Sequence, residues 1–133
     1  MKELDSTTFV SGQIAPEDIA ALGVATIINN RPDGEEPGQP TSGAIEAAAH
    51  AAGIDYRHIP VAGGISQPQV AQMADALAQA KGPVLAFCRS GTRSTYLWAL
   101  ARARLGDDAE DLTMKAAAAG YDLSRVRAFL AQS

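Results

Sequence analysis

Short apolar runs alternate along this chain with longer stretches in which apolar residues return every three or four positions. Residues 24–29 (VATIIN) and 84–87 (VLAF) are short and mostly apolar or β-branched, as strands buried on both faces are. Phe9-Val10 predicts a short first strand, and residues 56–61 (YRHIPV) predict another that Pro60 closes. Between the strands the period lengthens. Residues 67–80 place Val70, Met73, Ala74 and Leu77 on one stripe, and Gly82-Pro83 ends that helix. A helix is expected to resume near Arg93, carrying Tyr96, Leu97, Leu100 and Ala101, and two more follow over 109–119 and 123–131, separated by Gly120. Earlier, Pro16 with Glu17 and Asp18 opens a short helix over 15–23. Thr41 or Ser42 caps another, running through Ile45 to about Ala52 before Gly53. Residues 31–42 (RPDGEEPGQPTS) form a long turn-rich loop.

This alternation predicts one α/β domain over 1–133, with crossover units and a mostly parallel sheet of four to five strands flanked by helices. Ligands of such sheets bind beyond the carboxyl ends of the strands, and Cys88 follows one such end. Composition narrows the chemistry. With 11 basic and 15 acidic residues the formal charge is −4, and no Lys/Arg-rich block offers a footprint for nucleic acid or an anionic membrane. The polar start MKELD lacks the apolar stretch of a signal peptide, so a cytoplasmic location is expected. One cysteine excludes an intrachain disulfide, and two histidines argue against a zinc cluster; neither metal nor cofactor is expected.

The stretch that carries chemistry is Phe87-Cys88-Arg89-Ser90-Gly91-Thr92-Arg93-Ser94, a strand entering a polar loop and then a helix. Such a loop can turn backbone N–H groups inward as an anion cradle, with Gly91 supplying the dihedrals it needs. Arg93 can add a bidentate fork, and Ser94 can hydrogen-bond a thiolate or a bound anion. Two arginines and three hydroxyls beside a buried thiol are unfavourable unless an anion binds there. Cys88 is therefore expected to be a nucleophile with a depressed pKa rather than a core filler. Arg89 is expected to face the mouth. Arg31 is either a second anion contact or a structural partner of Glu35 or Glu36. Tyr96 could line the cleft, although packing is the ordinary fate of Tyr96 and Trp98. His58 reads as a hydrogen-bonded strand residue, and Met73 and Met114 as packing residues.

The loop Cys-Arg-Ser-Gly-Thr-Arg-Ser resembles the active-site loop of rhodanese-type sulfurtransferases. Protein tyrosine and dual-specificity phosphatases have a related loop with five residues between cysteine and arginine. Here four residues separate Cys88 from Arg93, and Ser94 takes the place of the phosphatase arginine. Ser11-Gly12-Gln13, Pro16-Glu17-Asp18, the segment from Ile27 to Glu35 and His58-Ile59-Pro60-Val61 resemble the DUF442 family, the phosphatase-like domain of β-lactamase-hydrolase-like proteins. That resemblance implies a dual-specificity-phosphatase-like fold with a rhodanese-like loop. Some relatives are fused to persulfide dioxygenases of metallo-β-lactamase fold, which makes such an enzyme a candidate partner.

The resemblance of this short loop to the rhodanese type implies a sulfurtransferase that moves sulfur through a Cys88 persulfide from a donor, thiosulfate or a low-molecular-weight persulfide such as glutathione persulfide, to a thiol acceptor. A phosphatase needs a general acid, and residues 58–67 contain no carboxylate. Asp33, just beyond the second strand, is the best acid for the alternative of a Cys88 phosphatase, and Pro-Asp-Gly is equally a turn signal. A third reading is a persulfide carrier or sensor without turnover.

Overall fold

The computed structural model describes residues 1–131, and its architecture follows from where the most apolar strand lies. The strands are β1 (Lys2–Glu3), β2 (Thr8–Ser11), β3 (Thr26–Asn29), β4 (Asp55–His58) and β5 (Val84–Phe87), in sheet order β1-β2-β5-β3-β4. β5, last in sequence, is inserted between β2 and β3, pairing parallel with both. β4 is parallel to β3, and β1 alone runs antiparallel. A central parallel strand has neither face nor edge exposed, which is why Val84 to Phe87 are all apolar and all buried.

The two faces bury different partners. Ile28, Val84 and Ala86 face the larger core, built with α2 (Gln67–Gln79), α3 (Thr92–Arg104), α4 (Ala109–Ala118) and α5 (Arg127–Leu130). Ile27, Leu85 and Phe87 face a smaller core with α1 (Ser42–Ala51) and a 3-10 helix over Pro16–Ala21. The helix starts are explicit. Thr41 Oγ1 accepts from Ala44 N at 3.1 Å, Ser66 and Gln69 form a reciprocal capping box on α2, and Asp108 accepts from the Glu110 and Asp111 amides.

Some expectations are corrected. The segment over 15–23 is 3-10 rather than α-helical, and the expected strand over 56–61 stops as a ladder at His58. Beyond it, Ile59 and Val61 still donate to the carbonyls of Asn29 and Asn30, at 2.9 and 3.0 Å, so Pro60 interrupts the pairing without releasing the chain. The final helix is one turn, because 123–126 bends to bury Leu123 and Val126. Met114 is 66% exposed and packs no core, unlike the fully buried Met73. Trp98 is buried and donates from Nε1 to Asp5 Oδ2 at 3.0 Å, tying α3 to the turn between β1 and β2. Burial alone would raise the Asp5 pKa, but the Thr7, Trp98 and Thr8 donors outweigh it and hold the carboxyl below its ordinary value. No helix among the described residues is long and apolar enough to cross a membrane.

Candidate active site

Parallel pairing brings the carboxyl ends of β2, β3, β4 and β5 to one rim, and β5 delivers Cys88 to its middle. Cys88 N donates to Ser11 O at 3.4 Å on one side, and Asn30 N donates to Phe87 O at 2.8 Å on the other. The sulfur lies at the floor of the loop, fully buried. Gly91 N points at Cys88 Sγ from 3.1 Å. Burial pushes the thiol pKa up, but the backbone amides of Ser94, Ser90 and Gly91 and the Ser94 hydroxyl outweigh it, so the pKa falls below the ordinary value. The buried Ser94 hydroxyl has no oxygen or nitrogen partner; ionised Cys88 supplies the acceptor it lacks.

Two glycines make this geometry attainable. A Cβ at Gly12 would stand 2.8 Å from Arg89 O, so only glycine lets the β2 end pass under the loop. Gly91 has φ +92°, and a Cβ there would lie 2.2 Å from Tyr121 Oη. The Gly91→Ala variant is expected to lose about 2–4 kcal/mol, combining left-handed strain with that collision. Urea denaturation measures the loss. Adding Tyr121→Phe should recover part of the collision share, since the ring Cζ would still stand 3.0 Å from the new Cβ, and leave the dihedral share.

Tyr121 was invisible in the sequence as a site residue. Its hydroxyl donates to Ser90 O at 3.0 Å from 31 positions away, bracing the loop from the segment after α4. Burial raises its pKa, with a further contribution from the Cys88 charge.

Arg93 projects from the first turn of α3, and its fork is occupied. Its two terminal nitrogens reach Glu35 Oε2 at 2.7 Å and Oε1 at 2.9 Å, and Nη1 also donates to Val61 O at 2.8 Å. Glu35 binds Arg31 Nε as well, at 2.8 Å, and the two guanidiniums, Arg93 first, hold its pKa at about 2. Arg31 settles as the structural partner of these acids. It is 1% exposed and donates to Glu35, to Glu36 Oε1 at 2.6 Å and to Gln13 Oε1 at 3.0 Å. The sequence offered Glu35 as a partner of Arg31, but gave no sign of its bond to Arg93, 58 positions on.

The remaining candidates fall in different places. Arg89 is exposed at the mouth, its Nε 4.0 Å from Glu36 Oε1, and the Ser90 and Thr92 hydroxyls share a 3.1 Å hydrogen bond. Asp33 turns to α1, accepting from Ser42 N at 2.7 Å. That is the turn role, and the bond orients the carboxylate toward a helix N-terminus. His58 Nε2 lies 2.9 Å from Arg31 O, a structural bond. Tyr96 lines a groove along α3 whose walls include no residue of the 88–94 loop.

This arrangement can hold a small anion against a thiolate. Comparisons with known proteins agree on its lineage. The family model for the phosphatase-like domain of beta-lactamase hydrolase-like protein matches residues 1–105. A beta-lactamase hydrolase-like protein of Xylella fastidiosa (strain Temecula1) is 38% identical over 136 aligned residues, 96% of this chain and 31% of that protein. One from Agrobacterium fabrum is 46% identical over 86 residues, 64% of this chain and 20% of that protein. The chain thus spans a third or less of these curated relatives. Among solved structures, a phosphatase candidate from Neisseria meningitidis Z2491 is similar at TM-score 0.82 and 38% identity, covering 98% of this chain and 96% of that one. The catalytic core of the PP-IP phosphatase SIW14 from S. cerevisiae shares the fold at TM-score 0.70 and 14% identity, over 97% of this chain and 82% of that one. The sheet, the cysteine loop and these matches together place the chain in the family of beta-lactamase hydrolase-like phosphatase-like domains, an α/β fold of the protein tyrosine and dual-specificity phosphatase type.

Proposed function

We propose that this domain is a sulfurtransferase working through a Cys88 persulfide. The observation that carries the reading is a short cradle, Cys88 to Arg93, beside two acids, Asp33 and Glu35, neither of which is placed as a general acid for a leaving oxygen. Asp33 faces α1, and Glu35, ionised and paired with Arg93, has no proton to give at neutral pH. Sulfur transfer needs none, because its leaving groups depart as stable anions.

In the first half-reaction the Cys88 thiolate attacks the outer sulfur of thiosulfate. A Cys88–sulfur bond forms, the donor S–S bond breaks, and sulfite leaves with the bonding pair. In the second, an acceptor thiolate attacks the outer sulfur of the Cys88 persulfide, the bond to Cys88 breaks, and the thiolate returns. The loop amides favour anionic sulfur throughout. Glu35 occupies the fork that a donor's oxyanion would take, so donor binding exchanges one anion for another on Arg93.

The test is intact mass after exposure to thiosulfate or glutathione persulfide: one added sulfur atom, absent in Cys88→Ser and removable by cyanide. Loss of the adduct together with Cys88-dependent turnover of an aryl phosphate would overturn the proposal in favour of the second reading, a cysteine phosphatase. The phosphatase fold and the Neisseria structure's designation favour that second reading. Asp33→Asn separates the two. Sulfur loading is expected to stay within about twofold of the parent, whereas loss of a general acid would reduce phosphatase turnover by about 10²-fold or more. We propose a free small thiol as the acceptor, and a persulfide dioxygenase of metallo-β-lactamase fold is the protein partner to try first.

A further inference from the structure

On α3, Arg93, Tyr96, Leu100 and Arg104 succeed one another at helical spacing and share one face. The last three of them line a cavity of about 660 Å³, within the size range of small-molecule sites. From Tyr96 to Arg104 the helix rises by about 12 Å, so the cavity is elongated along it. Val70 of α2 and Val126 before α5 supply its apolar walls, and residues 63–65 form its lip. That lip begins two residues after Val61, whose carbonyl holds Arg93.

Charge singles this cavity out. Of the eight arginines in the chain, six have a carboxylate partner: Arg31, Arg57, Arg89, Arg93, Arg102 and Arg127. The other two, Arg104 and Arg125, have no ion pair among the described residues, and both line this cavity. In a chain of net charge −4, two guanidiniums without a carboxylate partner among the described residues, both bordering one apolar cleft, form a site complementary to an amphipathic anion.

We infer that this cavity binds an elongated organic carboxylate, its apolar body on Val70, Leu100 and Val126 and its carboxylate taken by Arg104 and Arg125. None of the cavity's lining residues belongs to the Cys88 loop, so ligand binding there does not depend on sulfur transfer.

Isothermal titration of the full chain with decanoate, whose length matches the cleft, tests it. Saturable binding of one molecule is expected, with Kd of about tens of micromolar. Methyl decanoate, without the charge, and decanoate on the Arg104→Ala/Arg125→Ala double variant should each bind at least about tenfold more weakly. Arg104→Lys/Arg125→Lys should recover part of the affinity, since a point charge replaces the fork. Both positions are exposed, so the double variant is expected to keep the parent's unfolding curve. No saturation up to about 1 mM, or equal affinity in the double alanine variant, would overturn the inference.

Discussion

The Cys88→Ser protein is expected to keep its fold and lose turnover by a factor on the order of 10⁴, the scale seen when a catalytic nucleophile is removed. Serine fits the space, since the cradle meets this side chain mainly with amide hydrogens that a hydroxyl oxygen also accepts. It fails chemically, because an alcohol does not ionise near neutral pH and the loop's lowering of the pKa is far too small to change that. In the parent protein the same amides predict alkylation whose pH profile has its midpoint below the free-cysteine value of about 8.5. Added sulfate should slow that alkylation by filling the cradle. The measurements are steady-state turnover for the variant and iodoacetamide rate against pH for the parent. A parent midpoint at or above the free-thiol value would remove the chemical basis of the proposed reaction.

Arg31→Ala is expected to give a large stability loss, about 2–3 kcal/mol, because a buried guanidinium and its packing are removed while its acid partners remain partly open to water. Arg31 has 2% side-chain exposure and closes contacts to Glu35, Glu36 and Gln13 together. Without it, Glu35 keeps only Arg93, and a cavity opens behind the turn-rich loop. A pH signature accompanies the change. Glu35 has a folded-state pKa of about 2 against an ordinary 4.5, so unfolding takes up a proton in that window. The cluster's stabilisation is therefore complete above about pH 4.5 and is lost as pH falls toward 2. Urea midpoints measured across that range should fall steeply in the parent and more gently in the variant. Parallel slopes in the two proteins would contradict this account of the cluster.

Which parts of this molecule could be read in advance follows from how far each interaction reaches along the chain. The cradle was legible because its parts are contiguous. Strand 84–87, Cys88, Gly91 and Arg93 fix one another through local backbone geometry, and Thr41 and the stripe from Val70 to Leu77 are likewise local signals. Glu35 on Arg93 and Tyr121 on Ser90 join positions that only the finished fold brings together, so neither appeared as a member of the site. Asp33 shows the converse. Its sequence context served a catalytic acid and a turn equally, and the position of the α1 N-terminus decided for the turn. β1 is two polar, exposed residues with no period to detect, and it exists because the Asp5 turn and Trp98 hold it against β2. The shortened last helix has the same kind of cause, since burial of Leu123 and Val126 overrides a helical pattern.

The insertion of β5 between β2 and β3 has a consequence for how the protein is made. Those two strands touch each other only through β5, so a nascent chain that has emerged no further than α2 holds two half-sheets with no seam between them. The strand that joins them is the one that ends in Cys88. Joining the two halves of the sheet and delivering the reactive sulfur to its shelter thus depend on the same strand, and a chain without β5 in place has no finished cradle in which to activate a thiol.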